Sequence, residues 1–262
     1  MVELFILFAL WASLKFWIKL HAVSYAIRPL HAPSDVPVFA LGILLPILFY
    51  HEEQATLDVG VTLLVFCCGP LLVLFAMAGG VAKLMERIAV SAFAFLYVVL
   101  PLSLAVYLRE TASPATLLFL VVVATVSTDT GAFVIGSKFG RRKLAPAASP
   151  SKTWEGALGG IVCALVMVLL VGMAMAAVGL VKQGLEGASF FLIPGWGMGK
   201  VLAATLLFSI FGQFGDLAES MFKRQAGVKD SGNGLMGHGG VLDRIDSHLF
   251  NLPLAAALKL IF

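Results

Sequence analysis

Two stretches of the chain concentrate acid, base and glycine in a sequence otherwise poor in charge. The first opens Ser127-Thr128-Asp129-Thr130-Gly131-Ala132, passes through Gly136-Ser137-Lys138-Phe139-Gly140-Arg141-Arg142-Lys143, and ends Ser149-Pro150-Ser151-Lys152-Thr153-Trp154-Glu155-Gly156. The second opens Gly215-Asp216-Leu217-Ala218-Glu219-Ser220-Met221-Phe222-Lys223-Arg224, continues Lys229-Asp230-Ser231-Gly232, and closes His238-Gly239-Gly240-Val241-Leu242-Asp243-Arg244-Ile245-Asp246. On a helix, Asp216, Glu219, Ser220 and Lys223 would share one face, and Asp243 and Asp246, three apart, would point the same way. Carboxylates gathered in this manner are hard oxygen ligands. They suit Mg²⁺, which takes one or two of them and fills its shell with water and phosphate oxygens. Lys223, Arg224, Lys229 and the basic residues 141–143 suit phosphate, Arg by bidentate bonding and Lys as a point charge. Gly239 and Gly240 would let backbone N–H groups approach an anion closely. His238 reads better as a hydrogen-bond partner than as an acid or base. The plainer reading pairs each acid with a nearby base and leaves residues 141–143 to lipid headgroups. It suffices for one Asp and explains four or five acids in two stretches less well.

The elements that must position these residues are membrane helices. Hydrophobic residues make up 60% of the 262 and charged residues 13%, against about 45–50% and 25% in soluble domains. Mean hydropathy is +0.98. This excludes a soluble globular protein and predicts an all-α polytopic bundle forming a single integral membrane domain. Residues 1–110 would supply N-terminal helices and residues 111–262 the part carrying the motifs. Apolar runs approaching the ~20 residues that span a bilayer cover residues 3–18, 36–50, 59–79, 88–108, 115–136, 155–180, 199–217 and 248–262, about eight spans. Pro46, Pro70 and Pro101 fall inside runs and predict kinks. Cys67, Cys68 and Cys163 lie in apolar runs at spacings that suit neither a disulfide framework nor a metal site. The first run opens with Glu3 and has no small-residue cleavage site, so no cleavable signal is expected.

Nine of the 18 Lys and Arg fall in two connections: Lys138, Arg141, Arg142, Lys143 and Lys152 in one, Lys223, Arg224, Lys229 and Arg244 in the other. One helix up and one down separate the two, so they share a side of the membrane. By the positive-inside rule that side is cytoplasmic. Asp129 and Asp216 then sit where apolar runs meet the cytoplasmic connections, and an ionisable group at such a position is a functional-site hypothesis by default. If all eight runs cross, the N-terminus lies outside. Two nucleotide-binding patterns are accidental: Gly232 to Gly237 matches G-x-G-x-x-G, and Gly131 to Lys138 resembles a transposed Walker A, but neither has a strand before it.

Taken together, the two stretches resemble the phosphatidate cytidylyltransferase (CDP-diacylglycerol synthase) family. Its signature is met here by Ser220, Lys223-Arg224, Lys229-Asp230, His238-Gly239-Gly240 and Asp243-Arg244-Ile245-Asp246. The segments from Asp129 and from Ser149 resemble the family's upstream block, and Met236 stands where the family usually has Pro or a small residue. The match covers about a quarter of the chain. The resemblance implies transfer of the cytidylyl group of CTP to phosphatidic acid, giving CDP-diacylglycerol and pyrophosphate. It implies Asp216, Asp243, Asp246 and Asp129 as ligands of Mg²⁺, with a second cation as an option. Asp216, Asp243, Asp246, Lys223 and Arg224 become the catalytic set. Ser149, Lys152, Thr153, Ser220, Lys229, Asp230, His238, Gly239, Gly240 and Arg244 become substrate-binding residues. The implied partners are CTP, membrane phosphatidic acid and a second copy of the chain, with no nucleic acid, and the implied location is the inner (plasma) membrane. A transporter whose Asp129 and Asp216 line a cation path is the rival from another class; it does not require the ordered spacing of the second stretch.

Overall fold

A computed structural model describes residues 93, 95–109, 114–183, 193, 195–225, 227, 228, 231 and 242–261. The first three apolar runs, with Pro46 and Pro70, lie outside the described residues. What is described is mostly helical, and the chain divides into two compact units. One comprises Met1–Glu110 and Gln225–Arg244, the other Thr111–Arg224 and Ile245–Phe262.

In the first unit a π-helical turn, Phe95–Val99, leads into helix α1, Leu100–Arg109. The cause is Pro101, which has no N–H for the carbonyl four residues back, so the ladder widens just ahead of it. The Ser103 hydroxyl donates to the Val99 carbonyl at 2.7 Å, where the π-turn passes into α1. The kink expected at Pro101 therefore takes the form of a π-turn.

The second unit holds helix α2, Pro114–Phe139, helix α3, Trp154–Gln183, and helix α4, Met198–Gln225. Helix α5, Leu242–Ile261, begins in the first unit and runs on in the second. The segments Leu117–Phe139, Trp154–Met175 and Met198–Gln225 are long and apolar enough to cross a membrane. Each matches an expected run and extends past its polar end. The extension is largest in α4, where residues 218–225 continue the helix through the acid–base stretch. Gly131 to Lys138 lies wholly within α2, which disposes of the Walker-like pattern.

Glycine sets the α2–α3 packing. A Cβ on Gly160 would stand 2.6 Å from the Thr128 carbonyl oxygen, and one on Gly156 would stand 2.8 Å from that of Ala132. Without a side chain at either position the two backbones can touch, which is how membrane helices gain packing when lipid competes for apolar contact. On the other side of α3, Leu158, Val162, Val166, Leu170 and Met173 form an exposed apolar stripe suited to acyl chains.

Helix α4 buries Val201, Ala204, Thr205, Phe208, Ser209, Gly212, Gly215 and Glu219, a face with helical spacing. Polar ties join α2 to its neighbours. The Thr128 and Ser209 hydroxyls are hydrogen-bonded between α2 and α4, and Asn251 Nδ2 on α5 donates to Thr125 Oγ1 on α2 at 2.8 Å. All four residues are buried.

The connection between α2 and α3 departs from an all-helical fold. Strands β1, Lys143–Ala145, and β2, Ser149–Thr153, pair antiparallel. Pro146 sets the turn between them, with the Ala148 N–H donating to the Ala145 carbonyl at 3.2 Å. From the pair Ala145–Ser149 to the pair Lys143–Thr153, β1 advances two residues and β2 four. Pro150, which cannot donate to a ladder, suits the bulge this creates. Apolar-run counting has no means of finding such a short, polar hairpin.

Candidate active site

The hairpin is anchored at three points. At the start of α3, Thr153 is the cap: its Oγ1 accepts from the Gly156 N–H at 3.1 Å. Glu155, in the first turn, accepts from the backbone N–H groups of Arg141 at 3.0 Å and Arg142 at 3.1 Å, joining the strand entry to the helix N-terminus. Arg224, at the end of α4, donates from Nε to the Ala148 carbonyl at 3.4 Å and steadies the hairpin turn.

These anchors leave a cavity of about 380 Å³ between the hairpin and α2, α3 and α4. Asp129, Phe133, Gly136 and Ser137 line it from α2; Ser151, Lys152 and Thr153 from β2; and Gln213 and Asp216 from α4. Lys152 Nζ and the Asp216 carboxylate form an ion pair with both side chains about a quarter to a third exposed. Gln213 Nε2 donates to the Ala157 carbonyl at 3.2 Å, tying α4 to α3 on the cavity wall. Two acids from different helices, one lysine and a helix N-terminus thus share one concave space.

Of the residues expected from the sequence, Asp129, Asp216, Lys152 and Thr153 meet in this cavity. Ser149 stands beside it on β2, its hydroxyl 3.4 Å from that of Ser151. Lys223 forms an ion pair with the fully buried Glu219, one turn beyond Asp216, and Ser220 is half-buried on the same helix. Asp246 is buried and accepts from the Ser247 N–H at 2.7 Å. Burial above all, followed by the charges of Asp216 and Glu219, pushes its carboxyl well above the usual carboxylate range. In the first unit, Asp243 accepts from the backbone N–H and the hydroxyl of Ser231 at 2.9 and 2.8 Å, and Arg244 is exposed. Lys229, Asp230, His238, Gly239 and Gly240 lie outside the described residues, as does the G-x-G-x-x-G pattern.

Three residues were missing from the sequence-based site. Gln213 sits one turn before Asp216, so the helical spacing that grouped Asp216 with Glu219 could have reached it. Glu219 was on that face and was not taken further; its spacing to Lys223 predicts their ion pair. Glu155 is an acid in a helix's first turn, a position that favours negative charge, and nothing in the sequence says whose amides it binds.

Among the described residues, no three His, Cys, Asp or Glu side chains come together as metal ligands. Within the cavity the carboxylate donors are Asp129 and Asp216. That set fits a hard divalent cation of the Mg²⁺ kind, which takes one or two carboxylates and leaves its remaining positions to water and substrate phosphates. Anionic groups would also be favoured by Lys152.

Residues 1–262 match the cytidylyltransferase family. The chain is 44% identical over 150 residues to a phosphatidate cytidylyltransferase of Staphylococcus saprophyticus subsp. saprophyticus, an alignment covering 56% of this chain and 51% of that protein. It is 46% identical over 127 residues to the phosphatidate cytidylyltransferase of Staphylococcus aureus (strain COL), covering 48% and 42%. The protein of that name from Staphylococcus haemolyticus is 45% identical over 127 residues, with the same coverage. The chain spans about half the length of these curated relatives. With a family match over its whole length, the chain belongs to the cytidylyltransferase family.

Proposed function

We propose that the chain transfers the cytidylyl group of CTP to phosphatidic acid, releasing pyrophosphate and forming CDP-diacylglycerol for phospholipid synthesis. The observation that carries this is the shared cavity, where acids from two apolar helices meet a lysine and a capped helix N-terminus.

The lipid phosphate is largely a dianion near neutral pH, its second pKa being about 6, so the attacking oxygen needs no strong base. Attack on the α-phosphorus of CTP forms one P–O bond and breaks the bond to the pyrophosphate. The protein's task is to bring two polyanions together and offset their charge. Lys152, placed by the hairpin that leads into the N-terminus of α3, draws phosphate oxygens into the cavity. Thr153 and Glu155 hold that N-terminus in place, and Ser149, Ser220, Lys223, Arg224, Lys229, Asp230, His238, Gly239, Gly240 and Arg244 contribute to substrate binding by family resemblance. A bound Mg²⁺ would screen the facing phosphates. Asp129 and Asp216 would hold it, with Asp243 and Asp246 added by the resemblance and a second cation as an option.

The same reading places the protein in the inner membrane as a bundle of about eight spans, one integral membrane domain with residues 111–262 as its catalytic part. The hairpin faces the cytoplasm, where CTP is found, and the active form is a homodimer. A turnover assay tests the reaction: purified protein in mixed micelles with radiolabelled CTP and phosphatidic acid, with and without Mg²⁺. Mg²⁺-dependent CDP-lipid that Asp216→Ala lacks is the expected result. No CDP-lipid from any lipid phosphate, together with cation flux in proteoliposomes, would favour a transporter.

A further inference from the structure

We infer that Lys152 is an exchange ligand: it holds Asp216 until a divalent cation takes that carboxylate, and then moves its ammonium to a phosphate of the incoming nucleotide. The inference rests on the reading of the chain as a CTP-using transferase and adds an order of events to it.

The argument starts from one carboxylate with two claimants. Asp216 lines the cavity and is ion-paired with Lys152, which lines the same cavity. Asp216 is also one of the two carboxylates there, with Asp129, that a hard cation would need. The Lys152 ammonium stands on Asp216 Oδ2, and two cations drawn to one small carboxylate repel each other, so binding of one opposes binding of the other. What remains is whether the lysine can leave and where it would go.

The backbone around Lys152 is fixed and its side chain is not. Thr153, the next residue, is buried and caps α3, Glu155 grips the amides of Arg141 and Arg142, and Arg224 holds the hairpin turn at Ala148. Lys152 itself projects on a flexible four-carbon stem with a freely rotating donor head, about a quarter exposed. A swing of the side chain alone keeps the ammonium inside the cavity, where it can meet a phosphate oxygen. Lys223 contrasts with it. Its partner Glu219 is fully buried one turn away and does not line the cavity, so that pair would stay closed.

Two consequences separate exchange from a lysine that only binds phosphate or only supports the hairpin. The cation must displace Lys152, so removing the lysine strengthens cation binding. Lys152 reaches the nucleotide only after release, so its removal weakens CTP binding when the cation is present and leaves it unchanged when the cation is chelated.

The test uses the purified full chain in detergent. Mn²⁺ affinity is measured by electron paramagnetic resonance without nucleotide, and CTP affinity by equilibrium dialysis in Mn²⁺ and in EDTA. Lys152→Gln should bind Mn²⁺ about two- to fivefold more tightly than wild type, in line with loss of a partly exposed ion pair. Lys152→Arg, which keeps a cation on the hairpin, should not show this gain. The CTP affinity of Lys152→Gln should fall in Mn²⁺ and match wild type in EDTA. Mn²⁺ affinity in Lys152→Gln equal to or below wild type would overturn the exchange, as would an equal loss of CTP affinity in both buffers. A folded wild-type chain that binds no CTP and makes no CDP-lipid would remove the underlying function reading, and the exchange with it.

Discussion

Asp216 and Asp129 reach one cavity from separate helices, and the proposed chemistry depends on both. Asp216→Asn keeps the size of the side chain and removes its charge. CDP-lipid formation should fall about 10²- to 10³-fold, the scale of losing one well-placed electrostatic contact at a reacting phosphate; a loss under threefold would take Asp216 out of the site. Asp243 carries a second job, since it accepts two hydrogen bonds from Ser231. Asp243→Asn should abolish turnover and also lower thermal stability, and a variant with normal turnover would remove Asp243 from the proposed metal ligands. The cavity residues were legible in the sequence because acids at the ends of apolar runs are costly and therefore conspicuous. Gln213 was not, being neutral and unremarkable in a helix, and its role emerges only when its amide is seen bridging to Ala157.

The elements explain why these residues stay together. Hydropathy alone located α2, α3 and α4, because a bilayer imposes both a length and a composition on each. It stopped α4 too early, since helical hydrogen bonding continues past the apolar segment while its polar residues find partners: Asp216 with Lys152, Glu219 with Lys223. The hairpin is not legible in the sequence, because its register depends on Pro146, Pro150 and Glu155 rather than on any periodic pattern. Its supports can be tested separately. Thr153→Ala should cost about 1 kcal/mol through the lost cap, read as a lower unfolding midpoint, whereas Thr153→Ser should restore it. Gly160→Ala places a methyl against the Thr128 carbonyl, and forcing α2 and α3 apart should cost about 1–3 kcal/mol. A midpoint equal to wild type would mean the helices can separate freely.

At the scale of the whole molecule, sidedness is the property on which a membrane enzyme with one water-soluble substrate depends. Arg142 is exposed at the entrance to the hairpin. In a background without the natural cysteines, Arg142→Cys should react with an impermeant maleimide only in vesicles whose cytoplasmic face is outward, and labelling of intact cells would invert the proposed topology. The expected sidedness rests on the two basic connections, while the arrangement of acids around a cavity needed coordinates. Trp154 adds a depth gauge. It is more than half exposed, and it directly follows Lys152 and Thr153, which line the cavity. Indole rings favour the layer between acyl chains and water, so in the proposed orientation this ring would set the cavity near the level of the lipid phosphates. α3, at 30 residues, is about 45 Å long against a hydrocarbon thickness of ~30 Å, so a change in bilayer thickness can be taken up at its far end. A lipid phosphate would then meet Lys152 by lateral diffusion, without leaving its own leaflet.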